Sequence, residues 1–172
     1  MLGSTIDKIS FEEDWDEYIK FVETLNEEDL KKENKYELIQ LAFCLWLLIE
    51  EFGLYCPKLE VYIERANSIF LEIYELMKDK YSDDKDFKFF FGYMISIFPA
   101  HFTEIYPDYD ETKKMGKNMI KNVSNENVLA YVFSNHSDRS AENIQKAKEY
   151  LYSIYSQNTF IGDYFTRIMD IK

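Results

Sequence analysis

Residues 38–49 read LIQLAFCLWLLI, twelve residues without a charge. As a helix this run spans about 18 Å, short of the ~30 Å hydrocarbon layer of a bilayer. It is also longer than a usual strand and shows no alternation. The reading that remains is a helix that is apolar nearly all round and buried among other helices. Gly53 and Pro57 follow it. Glycine suits the left-handed position just past a helix end, and proline suits the first turn of the next helix. A returning helix over about 57–80 then places Leu59, Tyr62, Ile63, Ala66, Ile69, Phe70, Ile73, Leu76 and Met77 on one face. With five glycines and three prolines in 172 residues, the chain lacks the punctuation of a β sandwich or barrel.

The same periodicity gives the remaining helices. Residues 1–9 read as a flexible tail. Ser10, with Glu13 three residues on, has the capping-box pattern for a helix through Phe11, Trp15, Tyr18 and Val22. Asn26 caps a short turn through Lys32, and Asn34 caps the apolar helix. The loop at 81–84 ends in a cap for an aromatic helix over 87–98, which Pro99 ends. Gly92 inside it suits the close approach of a neighbouring helix. Asp108, with Glu111 three residues on, starts a helix carrying Met115, Met119, Ile120 and Val123. Ser124 or Asn125 caps a short helix over 128–133, Ser140 one over 141–157, and a last helix runs over 160–171. The expectation is an all-α chain: a single domain over 1–172, with seven or eight helices in antiparallel hairpins. It forms either an irregular bundle or a short α-α array.

The chemistry of known catalytic motifs is missing. His101 and His136 are the only histidines. His101 and Glu104 have (i, i+3) spacing, but a di-iron bundle needs two such pairs and further carboxylates. No glycine-rich phosphate loop, no Gly-x-Ser-x-Gly elbow and no Cys–His arrangement occurs. Cys44 lies inside the apolar run, Cys56 at the turn, and two thiols make neither a zinc site nor a disulfide framework. The expectation is a protein without catalytic residues, metal or cofactor. The start of the chain has no basic stretch followed by an apolar one, so the sequence reads as cytoplasmic, with no membrane anchor.

Charge is the second constraint. The chain carries a net −12, and residues 1–33 hold eleven acidic side chains against four basic ones. Such a chain repels nucleic-acid phosphates, so direct DNA or RNA binding is not expected. Acidic side chains in a helix's first turn also favour its dipole. The one basic cluster is Lys113, Lys114, Lys117 and Lys121, read as a solvated face balanced by nearby acids. Two stretches combine acids with aromatic or helical framing: the first amphipathic helix, with Glu13, Asp14 and Glu17, and the segment Tyr106, Pro107, Asp108, Tyr109, Asp110, Glu111. Tyrosine rings supply contact area and flanking carboxylates steer a basic partner. The expected partner-binding residues are therefore Glu13, Asp14, Glu17, Tyr106, Asp108, Tyr109, Asp110 and Glu111.

The stretch 89–102, FFFGYMISIFPAHF, has an aromatic-rich helix, an internal Gly-Tyr-Met and a proline that ends it near a phenylalanine. It resembles segments of small, helical, acidic bacterial proteins, including immunity proteins of polymorphic-toxin and contact-dependent inhibition systems. The resemblance implies a non-enzymatic inhibitor that binds a cognate toxin domain, often a basic nuclease, and blocks its active site. The alternative is a helical-repeat-like adaptor that holds a peptide or protein in a groove.

Overall fold

The computed structural model describes all residues except 13, 53–59, 135–138 and 172, and leaves out the side chains of 11, 51 and 52. The fold is all-α, with ten α-helices and no strand among the described residues, against the seven or eight helices expected. The turn expected at Gly53 and Pro57, with Cys56, lies outside the described residues, as does His136. Contacts group the chain into two compact units, Met1–Lys80 with Thr159–Ile161, and Tyr81–Asn158 with Gly162–Lys172.

The first unit holds α1 (Leu2–Phe11), α2 (Trp15–Thr24), α3 (Glu27–Lys32), α4 (Lys35–Leu47) and most of α5 (Ile63–Tyr81). In α4 every residue from Leu38 to Leu47 is buried, as its all-round apolarity requires. Its end loosens into a π-turn over Leu48–Phe52. Asn34 caps α4 by accepting hydrogen bonds from the Tyr36 and Glu37 amides.

The first residues correct the expectation of a flexible tail. They form α1, which packs along α4. The inward stripe is Gly3, Ile6, Asp7 and Ser10, all buried. Gly3 lies so close to the Glu37 carbonyl that a Cβ would collide with it. Glu37 reaches back to accept from Ser4 N at 2.9 Å and Ser4 Oγ at 2.7 Å, and Glu33 accepts from Leu2 N. The stripe has helical spacing, but glycine, aspartate and serine hide it from a hydrophobicity reading. Ser10 is accordingly inside α1 and not the cap of α2. Asp14 takes that role, accepting from Glu17 N at 3.1 Å.

Asp7 is a buried acid in this packing, 3% exposed. Its carboxylate accepts from Phe160 N at 2.8 Å and lies 4.0 Å from the Cys44 sulfur. Burial raises its pKa above 3.8; the Phe160 amide, Gln40 and the Ile161 amide oppose this, and the nearby Glu37 charge adds to it. A folded-state pKa above the unfolded value favours folding most below the unfolded value, and that contribution is lost as pH rises through the folded one. We therefore expect the melting temperature of the wild type, relative to that of Asp7→Asn, to fall as pH is raised from about 3.8 towards neutrality. Parallel melting curves for the two proteins across that window would contradict the burial of Asp7.

The second unit holds α6 (Lys85–Ile97), a 3₁₀ turn over Pro99–Phe102, α7 (Tyr109–Asn122), α8 (Val128–Ser134), α9 (Ala141–Ile154) and α10 (Phe160–Asp170) from Gly162 on. Helices α6 and α7 pack against each other. Gly92 faces Gly116 across it: a Cβ on Gly116 would lie 2.7 Å from the Gly92 carbonyl oxygen and 2.7 Å from Ser96 N. Beside this crossing sits an aromatic core. Phe165 stacks edge-on against Tyr93, Phe133 and Tyr164 at centroid distances of 5.0, 5.6 and 5.3 Å, each geometry favoured by the ring quadrupoles. Arg139 Nη2 donates to the carbonyls of Ile168 and Met169, near the end of α10.

The caps at Asp84, Asp108 and Ser140 are in place. Asn127, and not Ser124 or Asn125, accepts from the Leu129 and Ala130 amides to start α8. Its side-chain NH₂ donates to the buried Asp86 carboxylate at 3.0 Å. Asp86 also accepts from Tyr150 Oη at 2.5 Å. One carboxylate thus ties α6, the start of α8 and α9.

Candidate protein-binding surface

The segment from Tyr106 to Glu111 is built by the chain leaving the 3₁₀ turn. The Ile105 and Tyr106 amides donate to the Phe102 carbonyl at 3.0 and 2.7 Å. Asp108 then caps α7, accepting from Glu111 N at 2.8 Å. Buried Thr112 fixes the geometry from behind: its hydroxyl donates to the Asp108 carbonyl at 2.6 Å and also reaches that of Tyr106 at 3.3 Å. Asp110 and Glu111 are exposed in the first turn, where the helix dipole favours negative charge. Tyr109 is 47% exposed. Tyr106, Pro107, Asp108, Glu111, Thr112 and Met115 line a hollow of about 420 Å³. A second hollow of about 400 Å³ continues along the helix between Glu111, Lys114, Met115, Asn118, Met119 and Asn122.

The expected residues of the first unit stand differently. Asp14 and Glu17 share the first turn of α2, Asp14 as its cap. Glu17 also lies 3.6 Å from Lys20 Nζ. It borders a hollow of about 400 Å³ with Met1, Ser4, Thr5, Lys8, Ile9 and Glu12. Glu13 lies outside the described residues. Much of the acidity here is answered within the chain: Lys31 pairs with Glu27 at 2.5 Å, Lys32 with Asp29 at 3.0 Å and Lys8 with Glu12 at 3.8 Å. Tyr106, Asp108, Tyr109, Asp110 and Glu111 are thus gathered at one helix start in the second unit, and Asp14 and Glu17 at another in the first.

Sequence reasoning missed the two methionines. Met115 and Met119 are half-buried on the flank of α7, while Ile120 and Val123 are buried. The signal was their four-residue spacing next to the lysine row, which an inward reading absorbed. His101 sits in the 3₁₀ turn with its ring 6.4 Å from that of Phe98, and Glu104 is exposed. Among the described residues no three His, Cys, Asp or Glu side chains converge as a metal site. No helix there is long and apolar enough to cross a membrane. Burial and the Asp7 charge push the Cys44 thiol well above its usual range, so at neutral pH it is a poor nucleophile.

The sequence matches no known protein family, no curated protein and no solved structure.

Proposed function

We propose that this protein is a non-enzymatic, protein-binding inhibitor, an immunity protein that neutralises a cognate toxin whose active cleft is basic, as in a nuclease. The observation that carries the reading is the start of α7. Half-buried Tyr106 and the exposed carboxylates Asp108 and Glu111 line a hollow, and exposed Tyr109 and Asp110 stand in the same helix start. That surface matches a cationic one: the rings and the hollow provide burial, and the carboxylates guide encounter and set register. The net charge of −12 supports the same reading through steering.

The test is co-expression with the product of the immediately upstream gene, followed by affinity capture at several salt concentrations and a growth-protection assay. Charge reversal needs care at Asp14 and Asp108. Both are helix caps, and losing a cap costs about 0.5–2 kcal/mol. Glu17→Lys and Asp110→Lys leave the caps in place. The combined variant is expected to fold normally, to bind about tenfold or more weakly through a slower association rate, and to protect less. Unchanged affinity, or no interaction of the wild type with that gene product, would remove the acidic-surface inhibitor reading.

A further inference from the structure

The two hollows on α7 meet at Glu111 and Met115, so they form one continuous flank along the helix. Its floor is apolar and soft, with Met115 and Met119 half-buried in it. Methionine's unbranched thioether lets such a floor adapt to a partner's apolar side chains. Its rim is ordered by charge: Asp108 and Glu111 at the N-terminal end, then Lys114, then Asn118 and Asn122. Lys117 and Lys121, both exposed, add positive charge beyond Lys114. The helix has fourteen residues and is therefore about 21 Å long, the reach of four helical turns.

We infer that this flank of α7 receives one amphipathic helix of the protein partner, lying antiparallel to α7 with lysines or arginines in its last turn. The inference rests on the inhibitor reading above and specifies the contact element. A helix of similar length presents apolar residues at i, i+3 or i+4 and i+7 along one side, the spacing needed to meet Met115 and Met119. The antiparallel direction sets the partner's C-terminal, basic turn against Asp108 and Glu111. Its N-terminal turn, where acidic residues are favoured, then lies towards Lys114, Lys117 and Lys121. Both helix dipoles are matched in that arrangement and opposed in the reverse one.

The probe is a pair of capped helical peptides of about fourteen residues. They share one composition and one leucine face. One carries its lysines in the last turn and its glutamates in the first, and the other reverses them. Binding to the full chain is read by fluorescence anisotropy, against the wild type and a Met115→Gln/Met119→Gln variant checked for folding by circular dichroism. The expected result is at least about tenfold tighter binding of the peptide with C-terminal lysines, lost in the double variant. Equal affinity for both peptides, no binding of either, or binding unchanged in the folded double variant would overturn the inference. Such a failure leaves the inhibitor reading standing on its own capture and protection assay, whereas failure there with a positive peptide result condemns only the assignment of function.

Discussion

Replacing Gly116 with alanine is expected to lower the melting temperature of the protein, against the usual benefit of removing a glycine from a helix. Alanine improves helix propensity by up to about 1 kcal/mol. The new methyl group, however, would lie 2.7 Å from both the Gly92 carbonyl oxygen and Ser96 N, and 2.9 Å from Ile95 Cγ2. Two of those three atoms belong to the backbone of α6, so no side chain can turn aside. Either the helices separate or the backbone distorts. Overpacking of this kind costs about 1–3 kcal/mol and occasionally more, so the clash outweighs the propensity gain. For a chain of this size each kcal/mol moves the midpoint by about 2–4 °C. Gly92→Ala meets the Gly116 carbonyl oxygen and Met119 Cβ, both at 2.9 Å, and should be almost as harmful. Thermal unfolding of Gly116→Ala and Gly92→Ala, with Lys117→Ala on the same helix as control, checks this. A higher midpoint for either glycine variant would mean that α6 and α7 do not cross backbone to backbone.

The second large effect belongs to Asp86. Its carboxylate is 1% exposed and accepts from Tyr150 Oη and from Asn127 Nδ2. Asp86→Ala removes the acceptor from both donors at once. Leaving a buried donor without its acceptor costs about 1–3 kcal/mol for each group, so the loss of both adds up to the largest effect of the set. Asn127→Ala loses its bond to Asp86 together with the cap of α8, the latter worth about 0.5–2 kcal/mol alone. Tyr150→Phe removes the hydroxyl that donates to Asp86 and should cost about 0.5–1.5 kcal/mol, as for a typical hydrogen bond. The expected order of damage in chemical denaturation is Asp86, then Asn127, then Tyr150. The Asp86/Asn127 double variant should be less harmed than the sum of the singles, because the two share one network. Strict additivity would show that the carboxylate does not join α6 to the start of α8.

These two cases mark where the sequence is legible and where it is not. The apolar run of α4 announced its own burial, and Asn34, Asp84, Asp108 and Ser140 announced helix starts through local chemistry alone. Asn127 did not. Ser124, Asn125 and Asn127 are all capping residues within four positions, and the choice falls to the one that also meets Asp86, forty-one residues earlier. The start of the chain failed for a related reason. Its inward stripe is Gly3, Ile6, Asp7 and Ser10, whose fitness for burial depends on the Glu37 carbonyl, Cys44 and the Phe160 amide. At the candidate surface, Asp108 and the exposed acids could be read directly. The hollow could not, because the rotation that leaves Met115 and Met119 half-buried is set by the glycine crossing of α7 on α6.

The Thr112 hydroxyl, tied to the carbonyls of Tyr106 and Asp108, bears on how a complex at the start of α7 would form. Fixing a residue's backbone costs about 1–2 kcal/mol in conformational entropy. Between Tyr106 and Asp108 that entropy is lost when the chain folds and not when a partner arrives. The segment is preorganised, so association of the proposed partner there would approach rigid-body docking. Thr112→Val would keep much of the side chain's volume while freeing both carbonyls from the hydroxyl. The resulting complex would carry a larger entropic penalty with its charges and rings unchanged.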